Sequence, residues 1–217
     1  MTNAKDRIGI VVRRLKKQYP DATIALDYST PLQLLVATIL SAQCTDERVN
    51  RVTPGLFRKY DSARDFANAD QAELEQDIRS TGFFRNKARS IITCCKALVE
   101  KHQGEVPKTM DELVALGGVG RKTANCVLGE AYGVCEGVVV DTHVRRVSQR
   151  LGLTKEENPE KIESDLMQLL PKKEWYAFST TMILFGRNVC EARSPECQQC
   201  SLRDVCPSAE DFLREKK

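Results

Sequence analysis

The chain has 217 residues, 41% of them hydrophobic, and 33 Lys and Arg against 30 Asp and Glu give a formal net charge of +3. That length buries a substantial core and accommodates one domain or two. So mild a basic excess excludes a global cationic field, and affinity for nucleic acid has to come from local clusters such as Arg121 with Lys122, or Arg145, Arg146 and Arg150.

In chain order the pattern is helical. Ile8 to Tyr19 carries apolar residues at Ile8, Val11, Val12 and Leu15, one stripe of a helix. Thr30-Pro31-Leu32-Gln33 reads as an N-cap, a first-turn proline and a box-closing glutamine, opening an apolar helix to Leu40. Thr45 or Asp46 starts the next helix, which Pro54 is expected to kink or divide. Asp70 caps a helix from Gln71 to Ser80, stopped by Gly82; Asn86 to Lys101 forms a long helix ending before Gly104. Later helices start at Thr109, Arg121, Asp141, Pro159 and Trp175, and the only strand-like runs are short, such as Gly137 to Val140. An all-α fold follows. No apolar run approaches the roughly 20 residues of a membrane span, and the N-terminus lacks the apolar core of a secretory signal. The expected compartment is a reducing cytoplasm, with Cys44, Cys94, Cys95, Cys126 and Cys135 as mostly buried core thiols.

Three segments carry chemistry. Leu116-Gly117-Gly118-Val119-Gly120 joins the Thr109 helix to one through Ala124, Val127 and Leu128, a helix–hairpin–helix over about 109–131. Its glycines permit positive φ. Backbone N–H groups next to a helix N-terminus suit a phosphate, and repeated phosphates mean nucleic acid; an ordinary αα-hairpin with a glycine corner is the plainer reading. Lys122 stands in the first helical turn beside Arg121. The dipole and the guanidinium both disfavour its cation, which favours the neutral, nucleophilic amine. Asp141 follows the run Val138-Val139-Val140 and precedes an amphipathic helix; it serves as an N-cap, and its carboxylate is also suited to stabilising a cationic transition state.

The third segment is Cys190, Cys197, Cys200 and Cys206, with Pro195 and Pro207 as turn makers. Four cysteines in so short a loop point to a metal site, for which zinc and a [4Fe–4S] cluster both qualify; disulfides are the remaining reading, disfavoured because no secretory signal accompanies them. Only one interval is a short Cys-x-x-Cys pair, and this asymmetry leans toward iron–sulfur.

Together with Leu40-Ser41-Ala42-Gln43, these segments resemble the endonuclease III family, bifunctional DNA glycosylases of the helix–hairpin–helix superfamily with an iron–sulfur loop. The likeness runs from about Ser29 to Cys206. It implies a six-helix domain over 22–135 and a cluster domain combining 1–21 with 136–217, with Lys122 and Asp141 facing each other across a cleft. It implies removal of oxidised pyrimidines from double-stranded DNA by a monomer, Lys122 forming a Schiff base with the sugar, Asp141 stabilising the sugar cation, and β-elimination cutting the strand. The implied DNA contacts are Gln43 filling the space of the flipped nucleotide, Phe83 as a wedge, the hairpin residues Gly118, Val119, Gly120 and Arg121, His143 as support, and Arg193 in the cysteine loop. The implied cofactor is a [4Fe–4S] cluster on the four cysteines, shaping that loop against DNA. Core packing is the competing role for Phe83 and Phe84.

Three departures from the family pattern stand out. Gly117 replaces the usual proline of the hairpin, which is expected to loosen the turn. Arg193 is followed by Ser194 and flanked by Glu191 and Glu196 where two basic residues are common, so the salt dependence of DNA binding is expected to be shallower. The segment Gly82-Phe83-Phe84-Arg85 is bulkier than usual. A monofunctional adenine or mismatch glycosylase is opposed by Lys122, and a non-catalytic DNA-binding iron–sulfur protein by the presence of both Lys122 and Asp141.

Overall fold

The computed structural model describes residues 3–215, among which twelve α-helices and three short 3-10 turns form and no strand does. The chain divides into two compact units, one from Ile24 to Val134 and the other made of the chain up to Thr23 and from Cys135 onward.

The first unit holds α2 (Pro31–Leu40), α3 (Asp46–Lys59), α4 (Ala63–Ala67), α5 (Gln71–Asp77), α6 (Phe84–His102), α7 (Met110–Val114) and α8 (Arg121–Tyr132). Helix α2 is apolar nearly all round, and such a helix belongs inside; it packs against α3, α6 and α8. Thr30 caps it by accepting from the Gln33 N–H, while Gln33 Oε1 accepts from Ser29 N–H (2.8 Å), one residue earlier than a closed capping box requires. Helix α3 runs through Pro54 without a break. The missing N–H removes one helical bond, and the buried stripe Val49, Thr53 and Leu56 keeps both halves docked on the same core. Helix α6 ends at Gln103 (φ 56) and Gly104, whose N–H reaches back to the Leu98 carbonyl.

The second unit holds α1 (Ala4–Gln18), α9 (Thr142–Arg150), α10 (Pro159–Leu169), α11 (Trp175–Asn188) and α12 (Ala209–Glu215). Its core runs through Ile8, Val11, Leu15, Val144, Val147 and Phe178. Helix α9 lies close on α11 because Gly186 leaves room: a β-carbon there would sit 2.9 Å from His143 Cβ. The run Gly137 to Val140 forms no strand, and the Val139 N–H donates instead to Ser179 Oγ (2.9 Å). β-Branched residues favour strands, yet a ladder needs a second strand, and none forms among the described residues. No helix among the described residues is long and apolar enough to cross a membrane.

Candidate active site

The hairpin is built on tight contacts. Thr109 caps α7 by accepting from the Glu112 N–H, and the chain then turns through Leu116 to Gly120. The Val119 N–H closes the turn on the Leu116 carbonyl (3.2 Å), and the Val119 side chain is buried. Val119 therefore anchors the hairpin from inside. Gly118 has φ +78, and a β-carbon there would lie 2.5 Å from Ser90 Cβ of α6. Gly117 is set by packing too, since its β-carbon would meet Thr93 Cγ2 at 2.6 Å. The glycine that replaces the expected proline thus seats the hairpin on α6 rather than merely loosening it.

Helix α8 has Gly120 as its N-cap and no side-chain cap, so its first-turn amides and dipole are presented without a side-chain acceptor. Lys122 is the second residue of that helix, and its side chain is exposed, as is that of Arg121. One turn on, Cys126 turns inward, and burial pushes its thiol up to about 11, against a hydrogen bond with Thr38. A turn beyond that, Glu130 accepts from the Tyr28 hydroxyl (2.8 Å).

Two loops of the same unit carry unusual backbones. Gln43, in the turn between α2 and α3, has φ 52; Phe83, immediately before α6, has φ 47. Both side chains are exposed, Phe83 at 61%. Neither residue type favours the left-handed region, and such outliers concentrate at functional sites. Exposure also removes core packing as the role of Phe83; Phe84, its neighbour, is the one that packs on the core. Behind these loops lies Lys87, which the sequence reading overlooked. It is 4% exposed, and burial holds its ammonium below the usual lysine range. The signal was available: Lys87, Ala88, Ile91, Cys94, Cys95 and Leu98 form the buried face of α6, and a lysine there is out of place.

In the second unit Asp141 is the N-cap of α9. Its Oδ1 accepts from the N–H groups of His143 and Val144, both at 2.8 Å, and its Oδ2 lies 2.8 Å from His143 Nδ1. The cap and the carboxylate–imidazole pair share one side chain, and His143 acts here as the residue that orients Asp141.

The four cysteines line one pocket with Phe185, Pro195 and Phe212. Burial, then the charges of the other three cysteines, push the Cys200 thiol up to about 11; burial likewise raises Cys206. A metal centre would take these groups as thiolates. Among the described residues no group of three or more His, Cys, Asp or Glu side chains is arranged to hold a metal ion. The loop is braced by arginines assigned above to nucleic acid. Arg146 donates to the carbonyls of Gly186 (2.8 Å) and Cys190 (3.0 Å). Arg150 donates to Cys190 Sγ (3.4 Å), Glu191 O (2.7 Å) and Ala192 O (2.8 Å), and stacks on Phe212 (4.4 Å). Their i, i+4 spacing puts both on the loop-facing side of α9, which leaves Arg145 as the exposed member of that cluster. Arg193 is exposed, between the exposed Glu191 and Glu196.

A glycine hairpin feeding an uncapped helix, with a four-cysteine pocket in the same chain, defines a class. The family model of the HhH-GPD superfamily base excision DNA repair protein matches residues 36–172, more than half of the chain. An endonuclease III of Synechocystis sp. is 57% identical over 97% of this chain and 96% of its own length. Two solved structures, an endonuclease III in a non-covalent DNA complex and a trapped endonuclease III–DNA covalent intermediate, each superpose with a TM-score of 0.93 at 46% identity, over 99% of this chain and 100% of theirs. The chain belongs to the endonuclease III family.

Proposed function

We propose that this chain excises oxidised pyrimidine bases from double-stranded DNA and cuts the strand at the resulting abasic site, with Lys122 as nucleophile. The observation that carries the reading is an exposed lysine in the first turn of an uncapped helix behind a glycine hairpin, in a chain 46% identical to an endonuclease III caught as a covalent DNA intermediate.

The roles follow from the chemistry of each group. DNA phosphate is held by the N-terminal amides of α8 and the glycines Gly118 and Gly120, with Arg121 adding charge. The damaged nucleotide leaves the stack, Gln43 filling its place and Phe83 wedging into the duplex. The neutral Lys122 Nζ attacks C1′; the N–C1′ bond forms as the glycosidic bond breaks and the base departs with the electron pair. The Asp141 carboxylate, held by its cap bonds and His143, stabilises the positive charge that develops on the sugar. Loss of a proton from nitrogen and opening of the ring give the imine. The imine acidifies C2′, and loss of that proton expels the 3′ phosphate. Cys190, Cys197, Cys200 and Cys206 would hold a [4Fe–4S] cluster whose contribution is to fix the loop carrying Arg193.

Sodium borohydride trapping on duplex abasic DNA tests the reading. Wild-type protein is expected to yield a covalent band and Lys122→Gln none, while Lys122→Gln still binds DNA. Trapping and nicking by Lys122→Gln at the wild-type rate would place the nucleophile elsewhere.

A further inference from the structure

Lys87 has a coordination that simple core packing does not call for. Its ammonium donates to the Leu40 carbonyl (2.7 Å) and the Thr81 carbonyl (2.8 Å). Leu40 is the last residue of α2, so its carbonyl is one of those a helix leaves without an internal partner, at the negative end of the dipole. Thr81 ends a 3-10 turn. Each carbonyl lies a few residues before an exposed, left-handed tip: Leu40 precedes Gln43, and Thr81 precedes Phe83. A buried ammonium normally faces a carboxylate. This one faces two backbone carbonyls, and in doing so it bridges two loops that are 40 residues or more apart in sequence (43 to 83 for the tips, 40 to 81 for the anchors).

We infer that Lys87 is a positioning residue for base flipping: its ammonium clamps the two loops at the separation at which Gln43 and Phe83 enter the duplex together. Without the clamp each loop keeps its own turn, through Cys44 N–H to Ser41 O (3.1 Å) on one side and Thr81 N–H to Ile78 O (2.9 Å) on the other. What is lost is their fixed spacing. Entry into a stacked duplex depends on that spacing; attack by an amine on a sugar that is already unstacked does not. This inference rests on the glycosylase reading above.

Lys87→Met keeps the length and apolar bulk of the side chain and removes its N–H donors. Because misplacing a positioning group by about 1 Å costs about a hundredfold, trapping on duplex abasic DNA is expected to slow by about tenfold to a hundredfold, while trapping on a single-stranded abasic oligonucleotide stays at the wild-type rate. 2-Aminopurine placed opposite a non-reactive abasic analogue should lose the fluorescence rise that accompanies unstacking by the wild-type protein. Phe83→Ala should show the same duplex-selective loss, and the Lys87→Met/Phe83→Ala double variant no more than the larger single loss, since both act on one step. Equal slowing on single-stranded and duplex DNA, or additive losses, would overturn the clamp and leave Lys87 a plain core group. If Lys87→Met does not fold, Lys87→Arg retains charge and donors on a wider head; it should give a smaller loss that is again confined to duplex DNA, and a loss shared by both substrates overturns the inference. A wild-type protein that traps on neither substrate would instead remove the lyase reading, and the 2-aminopurine signal would still decide whether the loops act together.

Discussion

Gly118→Ala puts the hairpin geometry to a quantitative test. Two penalties apply at this position. The backbone at φ +78 disfavours any β-carbon by roughly 1–2 kcal/mol. The added atom would also fall 2.5 Å from Ser90 Cβ and 2.7 Å from Ser90 Oγ; rotation of the hydroxyl relieves only the second contact. Overpacking of this kind costs roughly 1–3 kcal/mol, because α6 must move or the hairpin must lift. The sum is about 2–5 kcal/mol, and for a chain of this size that lowers Tm by roughly 4–20 °C. Ser90→Gly separates the two penalties. Alone it costs roughly 0.5–1 kcal/mol, as glycine does inside a helix. In that background Gly118→Ala should cost only the backbone part, so a double-mutant cycle should show about 1–3 kcal/mol of coupling. Thermal melts and urea titrations of the four proteins measure it. Coupling indistinguishable from zero, or a Gly118→Ala protein melting at the wild-type temperature, would show that the hairpin does not sit on α6 as described.

Asp141→Asn should separate the two duties of that side chain. Asn caps nearly as well as Asp, so the bonds from His143 and Val144 persist and Tm should change little, while single-turnover base release should fall by about a hundredfold or more through loss of charge. Early melting with normal base release per folded molecule would make Asp141 a cap alone. The purified wild-type protein should be yellow-brown and contain iron, and Cys200→Ser should lose both colour and soluble yield because a lost ligand unfolds the loop; a colourless, folded protein with stoichiometric zinc would refute the cluster.

Much of this protein is written locally. Thr30, Asp70, Thr109, Asp141 and Asn158 each cap a helix through a contact two or three residues ahead, and such contacts can be read from a short window. The hairpin glycines, Lys122 in the first turn after them and the spacing of the four cysteines are equally local, so the outline of the candidate site was legible. What was not legible depends on partners that no window contains. Pro54 breaks a helix by local rules but is tolerated where both halves share a core. Gly137 to Val140 has strand composition and no neighbour to pair with. Arg146 and Arg150 look like a phosphate-binding cluster until carbonyls more than 35 residues downstream occupy them. Gly117 looks like a lost proline until Thr93 fills the space beside it. Lys87 looks like an ordinary helix lysine, and the carbonyl that gives it a role lies 47 residues away. The reason is the same throughout: backbone preference and capping act over one helical turn, whereas the partner of a charge or the neighbour of a glycine is chosen only when distant segments pack.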